Sequence, residues 1–467
     1  MTEKLPKECV LTLVIVFMAA LIDGLDASIV TVSLPIMSKE MGVSIPEGSW
    51  FILAYVLGLA ALLLPLGKMA KNGRVKKYMI FGTILFGASS VMCGLSNSFW
   101  MLVIFRLIQG IAAAMMSATL PSIIVHMLPV DRKGLGMSVM GASSGVAIIV
   151  GPVLGGFLTS AISWHWIFFI NVPFCLLIVL LTMYHFPKDQ PINREKDPSP
   201  LGGLSAMLLI GSVLTLLEDL GDPDINRIGR IICGIITVIS LMMLLWSIRR
   251  DSNRAIIAPK MLMNRDFIIV TMSFLLCTIV VGGATYLLPF LLQGYWDMDA
   301  STCGLYLAAV SVAMMITVLP VGSMCDKYGC KVPVMIAVIM RGLFCIISIY
   351  LCIEHSDPIF ILIPAICFGI SHAFSGTAQP TRMIHHATPG YEDEATNFML
   401  VVNYIADALG VVLFAMIFGF VTSEGMEEAT GDLLADGFIA TMWFSLIILA
   451  LAMICTVAVK NKIVRTE

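Results

Sequence analysis

From end to end, this sequence is a succession of runs of about 20 residues that carry almost no charge. As an α-helix, such a run crosses the roughly 30 Å hydrocarbon core of a bilayer, where only helices and closed barrels satisfy their own backbone. Barrel strands alternate in polarity, and these runs do not. Soluble domains hold roughly 45–50% apolar residues. With 58% hydrophobic and 13% charged residues over 467 positions, the chain is expected to be an all-α polytopic membrane protein.

Fourteen spans are expected, near residues 9–37, 49–67, 78–97, 99–128, 134–160, 164–186, 201–220, 229–248, 267–292, 302–325, 332–353, 358–380, 396–422 and 437–459. An even number places both termini on one face. That face collects 23 of the 28 lysines and arginines; Lys39, Arg227 and Arg230 fall on the other, and Arg106 and Arg341 lie inside spans. The positive-inside rule makes the N- and C-termini cytoplasmic in a multi-pass protein of the cell membrane. The first run is too long for a cleaved signal peptide and is expected to be the first span. Two long connections, Pro187 to Pro200, rich in charge and proline, and Arg249 to Arg265, with five cations, bracket spans seven and eight. They suggest an N-terminal six-helix block (1–187), a linker with two extra spans (188–265) and a C-terminal six-helix block (266–467).

An internal repeat supports the division. PLGKMAKNGRVK (Pro65 to Lys76) follows span two and PVGSMCDKYGCK (Pro320 to Lys331) follows span ten, the second position of each block. Gly67, Gly73 and Lys76 have counterparts in Gly322, Gly329 and Lys331 once a one-residue gap is allowed. A duplicated six-helix unit requires this placement.

Charges inside spans point to function. Asp23 and Asp26 share one face of span one, and a charge at mid-bilayer costs about 2.5–3.5 kcal/mol on insertion scales, so such groups face a partner or a water-filled path. Arg106 lies too deep in span four to snorkel and is expected to find a carboxylate or backbone partner. Asn403 and Asp407 lie one turn apart in span thirteen. Arg341 in span eleven and His372 in span twelve are further buried polar groups without a motif; a satisfied core histidine is the simpler reading of the latter. Cys325 with Cys330, and His385 and His386 beside Arg382 in a loop, lack further ligands at metal spacing, so no metal is expected. No phosphate-cradling GxxxxGK[ST] loop and no nucleophile–base pair is apparent, so neither an enzyme nor a nucleotide-driven pump is expected, and no cofactor beyond a proton gradient as energy source.

Four segments and the two repeat loops carry a resemblance. LDASIVTVSLP (Leu25 to Pro35), LVIFRLIQG (Leu102 to Gly110), GPVLGG (Gly151 to Gly156), WHWIFFINVP (Trp164 to Pro173) and the two repeat loops resemble signatures of the major facilitator superfamily, and within it the fourteen-helix drug:proton antiporters. The resemblance implies the major facilitator fold, two six-helix bundles with two additional transmembrane helices inserted between them. It implies a proton-coupling role, or a role in holding the first helix, for Asp26, with Arg106 paired to Asp26 or Asp23. Asp407 resembles acidic positions that drug antiporters place in this helix, so Asp23, Asp26, Asn403 and Asp407 are candidates for proton or substrate binding. Gly151, Pro152, Gly155 and Gly156 match the antiporter motif, which implies a hinge against leak. Gly67, Lys71, Gly73 and Arg74, with Gly322, Asp326, Gly329 and Lys331, match gating loops; Lys71 stands where an acid is usual, which suggests a weakened latch, and contact of the basic loop with lipid headgroups is an equal alternative.

The expected function is proton-coupled export of amphipathic, cationic or multidrug-type small molecules by alternating access. The partners are substrate, protons and membrane lipids, without nucleic acid, and the expected state is a monomer. A specific exporter or importer of an amino acid, peptide or siderophore, and a transporter-like receptor without turnover, stay open as alternatives.

Overall fold

Ser98, Asn264 and Asp299 each turn a side-chain oxygen onto amides at the start of the apolar run that follows, and a helix begins behind each of them. In the computed structural model, which describes residues 6–71, 74–129, 132–189, 200–219, 227–250, 261, 263–354, 357–388, 392–422 and 431–461, fourteen helices of 15 or more residues follow one another. They are α1 (Lys7–Met41), α2 (Trp50–Lys71), α3 (Val75–Gly94), α4 (Phe99–Met127), α5 (Lys133–Ala161), α6 (Asn171–His185) and α7 (Pro200–Asp219), then α8 (Arg227–Arg250), α9 (Arg265–Gly294), α10 (Ala300–Tyr328), α11 (Lys331–Ile353), α12 (Leu362–His385), α13 (Glu392–Val421) and α14 (Gly431–Ala458).

Among the described residues twelve helices are long and apolar enough to cross a membrane; the remaining two apolar stretches, Gly145–Ala161 in α5 and Leu201–Val213 in α7, are shorter. Serine and threonine hydroxyls inside these helices return to carbonyls three or four residues back, as Thr83 does to Met79 and Ser445 to Thr441. Such back-bonding satisfies a hydroxyl that lipid would leave unpaired.

The helices group into two units, divided within α7 at Ile210 and within α8 at Ser240, and the connector Gly42–Ser49 groups with the second unit. In the first unit α1 packs on α4, α5 and α6, α2 on α4, and α3 on α4 and α6. In the second, α9 packs on α12, α13 and α14, α10 on α12, and α11 on α12 and α14. Advancing every helix number of the first set by eight gives the second, so the repeat read from two short motifs extends to the packing of both six-helix sets.

Three placements differ from expectation. The motif beginning at Pro65 is helical through Lys71, and that beginning at Pro320 through Tyr328, so the second connection shrinks to Gly329 and Cys330. Arg382 lies not in a loop but in the last turn of α12, buried, where it donates to the carbonyls of Thr456 at 2.9 Å and Val459 at 3.1 Å. Its cation meets the carbonyls at the negative end of α14.

Candidate functional site

The densest polar cluster of the first unit is built on Asp26, which is fully buried on α1. Its Oδ2 accepts from Arg106 Nη1 at 2.5 Å, and its Oδ1 accepts from Gln109 Nε2 at 2.8 Å and Asn171 Nδ2 at 2.9 Å. Arg106 also donates from Nε to the Phe51 carbonyl at 2.8 Å and from Nη1 to Gln109 Oε1 at 2.9 Å, and Gln109 continues to Ser90 Oγ at 2.8 Å. Five helices, α1, α2, α3, α4 and α6, thus contribute to one hydrogen-bonded network around an ion pair whose members are at most 1% exposed. Breaking such a pair by removing one member strands a buried charge, a loss of about 3–5 kcal/mol.

Asp23 is differently placed. It is only partly buried, and it accepts from the Tyr55 hydroxyl at 2.7 Å and the Ser117 hydroxyl at 2.7 Å. No cation contacts it among the described residues. Tyr55 joins the two acids, because the guanidinium of Arg106 lies 4.5 Å from the centre of its ring. Asp23, Tyr55, Arg106 and Asp26 therefore form a continuous chain in which one carboxylate is matched by a cation and the other by neutral hydroxyls.

The GPVLGG segment is where α5 meets α1. A methyl on Gly151 would lie 2.9 Å from Ser28 Cβ, and one on Gly155 would lie 2.6 Å from the Ile29 carbonyl oxygen. Ser28 Oγ donates to the Ala147 carbonyl across the same contact at 3.0 Å. Pro152 and Gly156 are buried within α5.

In the second unit, Asn403 and Asp407 are both partly buried on α13. No hydrogen bond reaches the Asp407 carboxylate among the described residues. Gly282 of α9 faces it, and a methyl there would come 2.7 Å from Asp407 Oδ1. Gly410 does the same for α13, 2.8 Å from the Gly283 amide. The contact between the first and fifth helices is glycine-mediated in both units, although only one copy carries GPVLGG.

The repeat loops make a matching pair of contacts that the sequence did not signal. Lys76 Nζ donates to the carbonyls of Met183 at 3.0 Å and Phe186 at 2.5 Å, while Asp189 accepts from the amides of Lys76 at 2.8 Å and Lys77 at 2.9 Å. Lys331 Nζ donates to the Val457 carbonyl at 2.8 Å, and Asn461 Oδ1 accepts from the Lys331 amide at 3.2 Å. Each basic residue caps the sixth helix of its own unit. Gly329 has φ +75°, a backbone that favours glycine, beside the Asn461 side chain. Arg74 precedes α3, and a methyl on Gly67 would meet nothing within 4 Å. Gly73 lies outside the described residues, as do the side-chain surroundings of Lys71, Gly322 and Asp326.

A profile described as "Major Facilitator Superfamily" matches residues 16–411 and 270–463. The chain belongs to the Major Facilitator Superfamily. It is 24% identical over 414 residues, 87% of this chain and 88% of the relative, to "Riboflavin transporter RibZ" of Clostridioides difficile (strain 630). It is also 30% identical over 315 residues to "Multidrug export protein EmrB" of Escherichia coli (strain K12), covering 66% of this chain but only 60% of that protein. A solved bacterial homologue of the human lysosomal transporter Spinster, inward-facing and unoccupied, has the same fold at TM-score 0.68 and 15% identity, covering 97% of this chain and 98% of that one. This superfamily member is a multi-pass membrane transporter of small molecules, not an enzyme.

Two members of the network, Gln109 and Asn171, lie inside the quoted motifs without having been singled out. Gln109 is three residues from Arg106 on the same face of α4, and Asn171 is a lone amide in an apolar run; those were the available signals. Tyr55, Ser90, Ser117, Asp189 and Asn461 had none.

Proposed function

We propose that the chain is a proton-coupled antiporter of the fourteen-helix branch that exports amphipathic, cationic small molecules by alternating access. In this reading α1–α6 and α9–α14 are the two six-helix bundles, and α7 and α8 are the inserted pair. Both termini are cytoplasmic at the cell membrane, and one copy works alone within its shell of lipid. The proton gradient is the only energy source: one proton moving through about 100 mV gains roughly 2.3 kcal/mol, enough for about a fifty-fold substrate gradient.

The observation that carries this reading is the unequal pairing of Asp23 and Asp26. Protonating Asp26 would leave Arg106 buried without its counter-charge. Protonating Asp23 leaves no cation behind among the described residues, where the Tyr55 and Ser117 hydroxyls are its partners. We therefore assign proton exchange to Asp23 and Asp407, and to Asp26 with Arg106 the role of a fixed charge pair that Tyr55 connects to the exchange site. A cationic substrate competes with the proton for the same unpaired carboxylates, which is the simplest form of antiport.

Adding a cationic dye to purified protein in weakly buffered detergent is expected to release protons. The release should vanish in Asp23→Asn and in Asp407→Asn. Wild-type release persisting in both variants would refute the assignment. A specific-metabolite transporter is the second reading, supported by the likeness to a riboflavin transporter. Drug resistance conferred on a pump-deficient host favours the first, and riboflavin movement without resistance favours the second.

A further inference from the structure

Arg382, in the last turn of α12, is 2% exposed, and only part of its guanidinium is engaged. Its Nη2 donates to the carbonyls of Thr456 and Val459, whereas Nε and Nη1 are buried and have no hydrogen-bond partner among the described residues. Orphaned N–H groups on a buried cation are costly, so an acceptor beside them has something to gain. The ionisable group whose charge acts on Arg382 is the thiol of Cys330. A neutral thiol is a weak acceptor; a thiolate carries the charge that a guanidinium wants.

Cys330 has a second source of positive potential. It is the residue immediately before α11, a helix of 23 residues, with φ −73° and ψ −13°, and its side chain makes no cap hydrogen bond. The positive end of the helix dipole therefore begins at this residue. A helix N-terminus and a neighbouring arginine are two of the settings that favour thiolate over thiol in proteins. Here α11 supplies one and α12 the other.

The sulfur is closed off, but thinly. Cys330 is 2% exposed and packs with Val321, Cys325, Val334 and Ala378. An exposed side chain bridges its turn: Asn461 Nδ2 donates to the Tyr328 carbonyl at 2.7 Å, and Asn461 Oδ1 accepts from the Lys331 amide at 3.2 Å, so the amide spans Gly329 and Cys330. A methyl on Gly329 would run into the Asn461 side chain. Cys330 also stands just outside the apolar stretch Lys331–Ile353 rather than within it. Cys277 and Cys345 make the contrast. Both are fully buried near the middle of α9 and α11 beside Arg341, with an arginine at hand but no helix end and no position outside the apolar stretch.

We propose that Cys330 is a modification site, a thiolate that hydrogen peroxide oxidises to a sulfenic acid. The sulfur attacks one peroxide oxygen: an S–O bond forms, the O–O bond breaks, and the sulfur gives up two electrons to the peroxide. The departing hydroxide takes a proton from solvent and leaves as water. The added oxygen meets the walls of Val321, Val334 and Ala378, so oxidation displaces the Gly329–Cys330 connection and breaks the Asn461 bridge. The site does not depend on the transport reading and stands whatever the substrate is.

The test treats the purified full-length protein with hydrogen peroxide near neutral pH. The remaining thiols are labelled over time and counted cysteine by cysteine by mass spectrometry. A Cys325→Ala sample contains dimedone, which captures the sulfenic acid before the thiol of the same cluster condenses with it. Cys330 is expected to react at least about tenfold faster than Cys277 and Cys345, and to carry the dimedone adduct. Arg382→Gln should slow it about three- to tenfold and Arg382→Lys much less, because the rate follows the thiolate fraction. Asn461→Ala, which uncovers the turn and leaves the arginine in place, should speed Cys330 about threefold or more without changing Cys277 or Cys345, and it carries the test if the Arg382 variants do not fold. Oxidation should also speed amide exchange at Lys331. Cys330 reacting no faster than Cys277 and Cys345 in both wild type and Asn461→Ala overturns the proposal. So does equal slowing by Arg382→Gln and Arg382→Lys, which would make the arginine a packing element and not the partner of a thiolate.

Discussion

Asp26→Asn removes the carboxylate bonded to Arg106 and leaves a guanidinium with 1% exposure facing an amide. The loss is expected to be about 3–5 kcal/mol, read as a drop in thermal midpoint and in yield from the membrane, with Arg106→Gln in the same background recovering part of it. Asp23→Asn exchanges one acceptor for two hydroxyls by another and should leave the midpoint within a degree or two while proton release disappears. Equal destabilisation by the two variants would contradict the division of roles. The sequence makes both acids and Arg106 conspicuous because charge is scarce inside spans. It could not say which acid the arginine takes, since that choice depends on how α1 crosses α4 and on where Asn171 of α6 falls. Tyr55 and Ser117 are ordinary residues of apolar helices until the packing brings their hydroxyls to Asp23.

Helices of bilayer length were legible because the apolar runs are bounded by charge, but their ends were not. The helices run on past the apolar stretches, so α2 reaches Lys71 through lysine, methionine and alanine, and α10 reaches Tyr328. Caps are the exception, since a short polar side chain before an apolar run has a local cause. Asp299 accepts from the amides of Ser301 at 3.0 Å and Thr302 at 3.2 Å, and its hydrogen bond from the Thr302 hydroxyl, followed by those from the amides, holds its carboxyl below the usual range. The folded form therefore has the lower pKa, and the cap's contribution is fully present above the unfolded value near 4 and is lost as pH falls through the folded one. Asp299→Ala is expected to cost about 1 kcal/mol locally, seen as roughly fivefold faster amide exchange at Ser301 and Thr302 above pH 5, with the difference from wild type vanishing in strong acid. At the contact of α1 with α5, Gly155→Val would drive a side chain into the Ile29 carbonyl. A loss of about 1–3 kcal/mol and of transport is expected. Gly67→Ala, with open space around it, should be silent in both.

At the scale of the whole chain, the duplication joins the two ends of the argument. It was readable in twelve residues at each of two places, and the rest of it was not, because helix-on-helix packing tolerates almost any apolar substitution. The pairs Lys76 with Asp189 and Lys331 with Asn461 show how far it extends: a lysine on the third helix caps the sixth, and a side chain beyond the sixth caps the third. Sequence alignment of the motifs would not find this, since an aspartate in one copy stands for an asparagine in the other. Both locks bind the same two helices of their own block, so they should fail in the same way. Asp189→Ala is expected to speed amide exchange at Lys76 and Lys77, and Asn461→Ala to speed it at Lys331. The charged acceptor should show the larger effect, because hydrogen bonds to an ionised group are about twice as strong. The two pairs share no partner, so the stability losses of the double variant should add to within about 0.3–0.5 kcal/mol. A larger departure from additivity would mean that the two blocks are coupled through these connections and that the repeat loops transmit the state of one block to the other.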